Sequence, residues 1–400
     1  MFQNVDAYAG DPILSLMEKF KQDPRAHKVN LSIGLYYDAQ GIIPQMRAVA
    51  AAQAQLNSVE HGASVYLPME GLQSYRSAIQ QLLFGAQHPM LQQGRIATIQ
   101  TVGGSGALKL AADFLRHFLT RGEIWVSDPT WANHWAIFEG AGLRVKTYPY
   151  FDEAAGGLRF AAMLDALDSL PPGSVVLLHP CCHNPTGTDL TPEQWRATLA
   201  VLQRRNLLPL FDIAYQGFGD GLEEDCFALR QALKTDLPFL VCNSFSKNVA
   251  LYGQRLGALS VRCADAENAA NVKGALKTLI RRSYSCPPTH GSQIVETLLG
   301  DAELGELWRN ELAEMRSRIK QMREQLAAGL AQGGSSLDHR RILEQRGMFS
   351  YTGLNEAQLQ TLRQRYAIYL VSPGRMCLPG LNPGNIDYVT AAILDVTRTA

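Results

Sequence analysis

The chain contains no run of about 18 consecutive apolar residues, so no segment reads as a membrane-spanning helix. Its first residues, Met-Phe-Gln-Asn-Val-Asp6, hold no basic segment followed by an apolar one, so no export signal is expected. Net charge is missing too. Lys and Arg together number 37 and Asp and Glu together 37, which leaves no field to draw nucleic acid or an anionic membrane. The expected partners are therefore small molecules. No Cys-x-x-Cys pair occurs, and the seven cysteines are odd in number and irregularly spaced, which argues against a disulfide framework or a structural zinc site. The cluster Cys181-Cys182-His183 is too tight in sequence for a typical ligand set, and no metal is expected. Together these absences point to a soluble, unexported, cytoplasmic protein.

What is present is enough apolar sequence, 46% of 400 residues, to bury the core of two or three domains. From Ile96 onward, strand-like runs alternate with helical ones. The strands are expected at Ile96–Val102, Ile124–Ser127, Leu143–Tyr148, Ser174–His179, Leu207–Phe211 and 239–242. The helices between them are expected at 107–119, 133–140, 160–170 and 192–205. Such alternation predicts a parallel sheet wrapped by helices. Thr191, Pro192 and Gln194 carry the start signal of the last of these helices. Beyond Pro287-Pro288 the spacing of Leu307, Leu312, Met315, Ile319, Met322, Leu326 and Leu330 predicts one long amphipathic helix. A small α+β unit follows it, joined by N-terminal residues.

Open parallel sheets bind ligands beyond the carboxyl ends of their strands, and the unusual residues collect there. Lys247, in Ser244-Phe-Ser-Lys247, sits where the 239–242 run ends, with Arg255 eight residues on. A lysine so held suits a Schiff base to a carbonyl cofactor that carries a phosphate, although a solvated lysine remains the alternative. Gly103-Gly104-Ser105-Gly106 precedes a helix, an arrangement suited to a phosphate or simply a glycine turn. It lacks the third glycine of a dinucleotide motif, and the chain has no Gly-Lys-Ser/Thr. Asp212, at the end of an apolar strand, calls for a cationic partner such as a pyridinium nitrogen, and Tyr215 lies three residues on. Asn184 occupies a turn-rich loop, and Trp131 offers a face for stacking or for the core. Arg281 and Arg375 have the planar fork that grips carboxylates.

Taken in this order, Ser-Phe-Ser-Lys247 with Arg255, His-Asn184-Pro-Thr-Gly, Asp212-x-x-Tyr215 and Gly-Arg375 make the chain resemble the class I, fold-type I aminotransferases that use pyridoxal 5′-phosphate. The segments 1–12, 30–37, 65–71 and 280–284 are similar to the bacterial aromatic amino-acid branch more than to the strict aspartate branch. The resemblance implies an α/β fold of that type, a mostly parallel sheet covered by helices with a smaller α+β domain. It implies an arm at 1–12, a small domain at 13–45 plus 310–400, and a large cofactor-binding domain at 46–309.

By the same resemblance Lys247 would hold the cofactor and move the substrate's proton, and Asp212 would pair with the ring nitrogen, supported by His134. Tyr215 and Asn184 would bond the ring oxygen, and Trp131 would stack on the ring. Gly104, Ser105, Ser244 and Arg255 would bind the phosphate. Arg375, near Gly34, would hold the substrate α-carboxylate. Tyr66 would reach the phosphate in a neighbouring subunit and Arg281 would cross the same interface, so a homodimer with shared active sites is implied. The expected reaction is reversible transamination between aromatic or acidic L-amino acids and 2-oxo acids such as 2-oxoglutarate. The alternatives are an aspartate-preferring aminotransferase, or a lyase or decarboxylase of the same fold. A regulatory protein of this fold would need a nucleic-acid-binding module that the chain has no room for.

Overall fold

The structure, a computed structural model, describes residues 2–5, 10–58, 65–118, 122–153 and 156–398. The chain forms two compact units, Pro44–Ser317 and Met1–Ile43 with Arg318–Ala400. These borders fall at 43/44 and 317/318, against 45/46 and 309/310 in the sequence expectation. A continuous helix, Ala302–Gln332, runs through the second border, so no change of pattern marks it in the sequence.

The larger unit is built on a sheet of seven strands. These are β1 (Ile96–Val102), β2 (Glu123–Asp128), β3 (Arg144–Pro149), β4 (Val175–Leu178), β5 (Leu208–Ile213), β6 (Phe239–Ser244) and β7 (Leu256–Arg262). Their order across the sheet is β1-β7-β6-β5-β4-β2-β3. Neighbours among β2 to β6 pair in parallel, and β7 runs antiparallel to both β1 and β6. The sheet is thus mixed and mostly parallel. Every residue of β4, β6 and β7 is buried, as strands covered on both faces must be.

Strand β7 has no counterpart in the sequence expectation, because Leu-Gly-Ala-Leu-Ser-Val-Arg neither alternates nor stands clear of the loop before it. Its reversed direction brings its first residue, and Arg255 just before it, to the edge where the other strands end. Gly257 makes this possible. A Cβ there would stand 2.5 Å from Asn243 O and 2.7 Å from Gly103 C, so only glycine lets β7 lie this close to the β1 exit.

Two helices of this unit show how the sequence sets their starts. Helix α1 (Gly103–Phe118) starts within the glycine run itself, four residues earlier than expected; the expected end at Leu119 lies outside the described residues. Glycine is a poor helix former, so the sequence reads as a turn, but packing against β6 and β7 overrides that preference. Helix α2 (Pro192–Arg204) has the anticipated capping box, with Gln194 N donating to Thr191 Oγ1 (3.2 Å) and Thr191 N to Gln194 Oε1 (2.8 Å).

In the helix Ala302–Gln332 the buried seam passes through Trp308, which is 1% exposed, and Leu307 of the expected stripe is only half-buried. Trp308 Nε1 donates to Asn248 O at 2.7 Å, which satisfies the indole without water.

In the smaller unit Val29–Asn30 pairs in parallel with Ile368–Tyr369, and Phe349–Tyr351 pairs antiparallel with Arg375–Cys377. The buried Arg323 guanidinium is met by the carbonyls of Ile342, Gly347 and Phe349 at 3.0, 2.8 and 3.2 Å, which offsets the cost of burying its charge.

Candidate active site

The edge of the sheet where β1, β4, β5 and β6 end and β7 begins opens into a cavity. It is lined by Gly104, Ser105, Leu108, Trp131, His179, Asn184, Asp212, Ala214, Tyr215, Ser244, Ser246, Lys247 and Arg255. Nine of the fourteen residues anticipated from the sequence are therefore brought together in one place. Asp212 and Ser244 lie within β5 and β6 rather than after them. This fixes their side chains through the ladder register, in which Asp212 stands opposite Cys242 and Ser244 opposite Gly257.

One end of the cavity is built for an anion. Helix α1 opens at Gly103, so its first N–H groups have no intrahelical acceptor and point outward. Ser105, Ser244, Ser246 and Arg255 stand around them. Arg255 holds its guanidinium in place by donating from Nη1 to Tyr252 O (3.1 Å) and Ser246 Oγ (3.4 Å). Its backbone lies in the left-handed region, φ 52° and ψ 60°, which for a side chain other than glycine costs about 1 kcal/mol. A Cβ on Gly103 would come within 2.6 Å of Arg255 Nη2, and one on Gly104 within 3.0 Å of Ser244 Cβ. The bare backbone at both positions thus leaves room for the Arg255 guanidinium and Ser244 to close around the helix start.

The other end is built for a cation. Asp212 is 7% exposed, and its Oδ2 lies 3.1 Å from His134 Nε2. An ionised carboxylate can only accept, so Nε2 carries a proton, and His134 Nδ1 is hydrogen-bonded to the Thr130 hydroxyl at 2.8 Å. Burial acts to raise the Asp212 pKa. The hydrogen bond and charge of His134, with His179 and Lys247, outweigh it and hold the carboxyl below its ordinary value. His179 is itself lowered to about 3, first by burial and then by His134. It is therefore neutral at pH 7, which leaves the His134 bond and Lys247 as the effective partners of Asp212.

Between the two ends, Asn184 Nδ2 donates to Tyr215 Oη at 3.4 Å. Lys247 Nζ stands 4.9 Å from the centre of the Tyr215 ring. Sequence reasoning did not single out His179, Ser246, Leu108 or Ala214 as lining residues. Ser246 shares the Ser-x-Ser-Lys run and His179 follows the end of β4, so those two left a signal. Both ring nitrogens of His179 are buried without a hydrogen-bond partner, so that wall of the cavity still has polar atoms to satisfy.

Of the other five anticipated residues, His134 stands behind Asp212 as described, and four lie elsewhere. Tyr66 is 91% exposed and Arg281 is exposed, its Nη1 donating to Ser285 Oγ; neither lines the cavity. Gly34 and Arg375 belong to the smaller unit, where both meet the ring of Phe349. The Arg375 guanidinium carbon is 4.4 Å from the ring centre, and a Cβ on Gly34 would be 2.9 Å from Cζ. Arg375 is 5% exposed and donates from Nη2 to Ser32 O at 2.8 Å.

The donor set of the cavity fits a flat, positively charged ring that bears a phosphate. The anion cradle and the ionised carboxylate lie in one cavity with an amine, and Trp131 and Tyr215 supply aromatic surface. Kinship agrees with this chemistry. The chain is 57% identical to the aromatic-amino-acid aminotransferase of Escherichia coli, over 99% of its own length and 100% of the relative's. It is 46% identical to an aspartate aminotransferase of Pseudomonas aeruginosa, over 99% of each. Its structure is similar, with a TM-score of 0.96, 45% identity and 99% of each chain covered, to an aromatic-amino-acid aminotransferase of Burkholderia pseudomallei described as covalently bound to pyridoxal phosphate. The family model "Aminotransferase class I and II" matches residues 26–393, and the chain belongs to that family.

Proposed function

We propose that this protein catalyses reversible transamination between aromatic or acidic L-amino acids and 2-oxo acids such as 2-oxoglutarate, in two half-reactions. Its cofactor is pyridoxal 5′-phosphate, which when bound supplies a carbonyl that joins amines covalently and a ring that takes up electrons from a departing α-proton. The observation that carries the reading is the meeting of Lys247, Asp212 and the Gly104–Ser105–Arg255 cradle in one cavity. Within one organism, Escherichia coli, the identity is 57% to the aromatic-amino-acid enzyme and 40% to the aspartate enzyme, which supports the aromatic substrate class.

Each residue then has a role that follows from its chemistry. Lys247 would hold the cofactor and, once freed by substrate, take the α-proton on Nζ and give it up again. Asp212, kept ionised, would hold a proton on the ring nitrogen opposite it, with His134 and Thr130 fixing the carboxylate's orientation. Asn184 and Tyr215 would offer their donors to the ring oxygen, and Trp131 its face to the ring. Gly104, Ser105, Ser244 and Arg255 would bind the phosphate. Arg375 would grip the substrate α-carboxylate with its planar fork.

We further propose a cytoplasmic homodimer in which Tyr66 and Arg281 serve the site of the partner subunit, on the phosphate and on the substrate side chain respectively. Their exposure is consistent with that use. Among the described residues no helix is long and apolar enough to cross a membrane, and all seven cysteines are free.

Lys247→Ala should leave no cofactor that borohydride can fix to the protein, and no turnover. Normal turnover in that variant would sink the reading. A ranking of kcat/KM over phenylalanine, tyrosine, aspartate and leucine tests the substrate class.

A further inference from the structure

Tyr66 and Arg281 are both exposed, yet the segments that carry them are joined by groups that the site chemistry does not use. Helix α3 (Ala266–Ser283) carries Arg281 near its end and Lys277 one turn earlier. Lys277 Nζ lies 3.1 Å from Glu70 Oε2 and 3.4 Å from Oε1. Glu70 follows Tyr66 closely, in a turn closed by Gly71 N donating to Pro68 O at 2.8 Å.

Gln100, fully buried within β1, fastens both segments again. Its backbone N–H donates to Glu70 O (2.9 Å), and its Nε2 donates to Pro288 O (2.7 Å). Gly71 has φ +84°, and a Cβ there would stand 2.3 Å from Gln100 Cβ, so the Tyr66 segment lies directly on this glutamine. Arg281 in turn donates to Ser285, a few residues before Pro288.

The Glu70–Lys277 pair spans 207 residues of sequence, and its side chains are 15% and 34% exposed. A pair of this kind adds little to stability but does fix where two elements stand relative to each other. We propose that Glu70, Lys277 and Gln100 form a positioning frame that presents Tyr66 and Arg281 to a partner subunit as one pre-spaced pair. The inference rests on the reading above, that both residues serve the partner's site. Its consequence is that cofactor affinity, set through Tyr66, and preference for dicarboxylic over aromatic substrates, set through Arg281, vary together when the frame is disturbed. Glu70, Lys277 and Gln100 do so without lining the cavity.

The test uses full-length Glu70→Gln, Lys277→Met and the charge-reversed double variant Glu70→Lys/Lys277→Glu, beside Tyr66→Phe and Arg281→Leu. Cofactor affinity is read from the absorbance of the bound cofactor, and selectivity from kcat/KM for aspartate over phenylalanine. Each single frame variant should weaken cofactor binding about two- to fivefold and lower the aspartate preference by a similar factor, the range of a partly exposed ion pair. Charge reversal should restore most of both. If Tyr66→Phe and Arg281→Leu move the two readouts while the frame variants move neither, or only one, the frame is refuted and the reading beneath it stands. If Tyr66→Phe and Arg281→Leu themselves move neither readout, that reading falls and the frame falls with it.

Discussion

Replacing His179 by glutamine should flatten the acid limb of the protein's stability profile. The imidazole is buried, and burial with the nearby His134 lowers its pKa from 6.5 to about 3. In the unfolded chain the same group binds a proton near pH 6.5. Above that value it is neutral in both states and adds no pH dependence. Between pH 6.5 and 3 only the unfolded state takes up the proton, so stability falls as pH falls, by about 1.4 kcal/mol per unit. At pH 5 the loss from this residue is about 2 kcal/mol. For a chain of 400 residues that corresponds to roughly 2–3 °C in Tm. The assay is thermal unfolding of the apoprotein, wild type against His179→Gln, at intervals from pH 8 to pH 5. Using the apoprotein keeps the pH dependence of cofactor binding out of the comparison. Whatever offset the substitution introduces at pH 8, the wild type should lose roughly 2–3 °C more than the variant on the way to pH 5. Parallel curves across that range would refute the burial argument.

Gly257→Ala forces a Cβ to within 2.5 Å of Asn243 O and 2.7 Å of Gly103 C. It should lower stability by about 1–3 kcal/mol and weaken cofactor binding, measured by melting and by cofactor titration; unchanged affinity would mean that the α1 N-terminus does not depend on this close approach. Thr191→Ala removes one half of the capping box on α2 and should cost about 1 kcal/mol, visible as a drop in Tm of roughly 1 °C with KM and kcat unchanged.

Much of the site was legible because each carrier residue follows or ends an apolar run, and such runs are visible without a structure. Asp212 after Leu-Pro-Leu-Phe211 and Lys247 after Phe-Leu-Val-Cys242 were located by that rule alone. What stayed hidden had physical reasons. Strand β7 is buried along its whole length and contains a glycine, so neither alternation nor composition sets it apart from a loop. Helix α1 begins in residues with low helix propensity, and only the neighbouring strands make that start favourable. His179 looked like the tail of a strand, and its importance comes from His134 and Asp212, which are distant in sequence. Leu307 and Trp308 are adjacent and the helical period tolerates either, so spacing alone does not say which of them is buried.

The reversed course of β7 also bears on how the site tolerates change in chain length. The stretch from Phe245 to Arg255 leaves one ladder and enters the adjacent one, so both of its ends are nailed to paired strands. Within that arc the reactive amine and the guanidinium clamp are separated by a fixed count of residues. A single insertion or deletion there would slide one past the other with no slack to absorb it. The connections on the far side of the sheet, such as that between Arg204 and Leu208, can lengthen or shorten without disturbing that spacing. Length variation across generations of such chains is thereby steered away from the arc, and side-chain substitution becomes the main route by which this part of the site can drift.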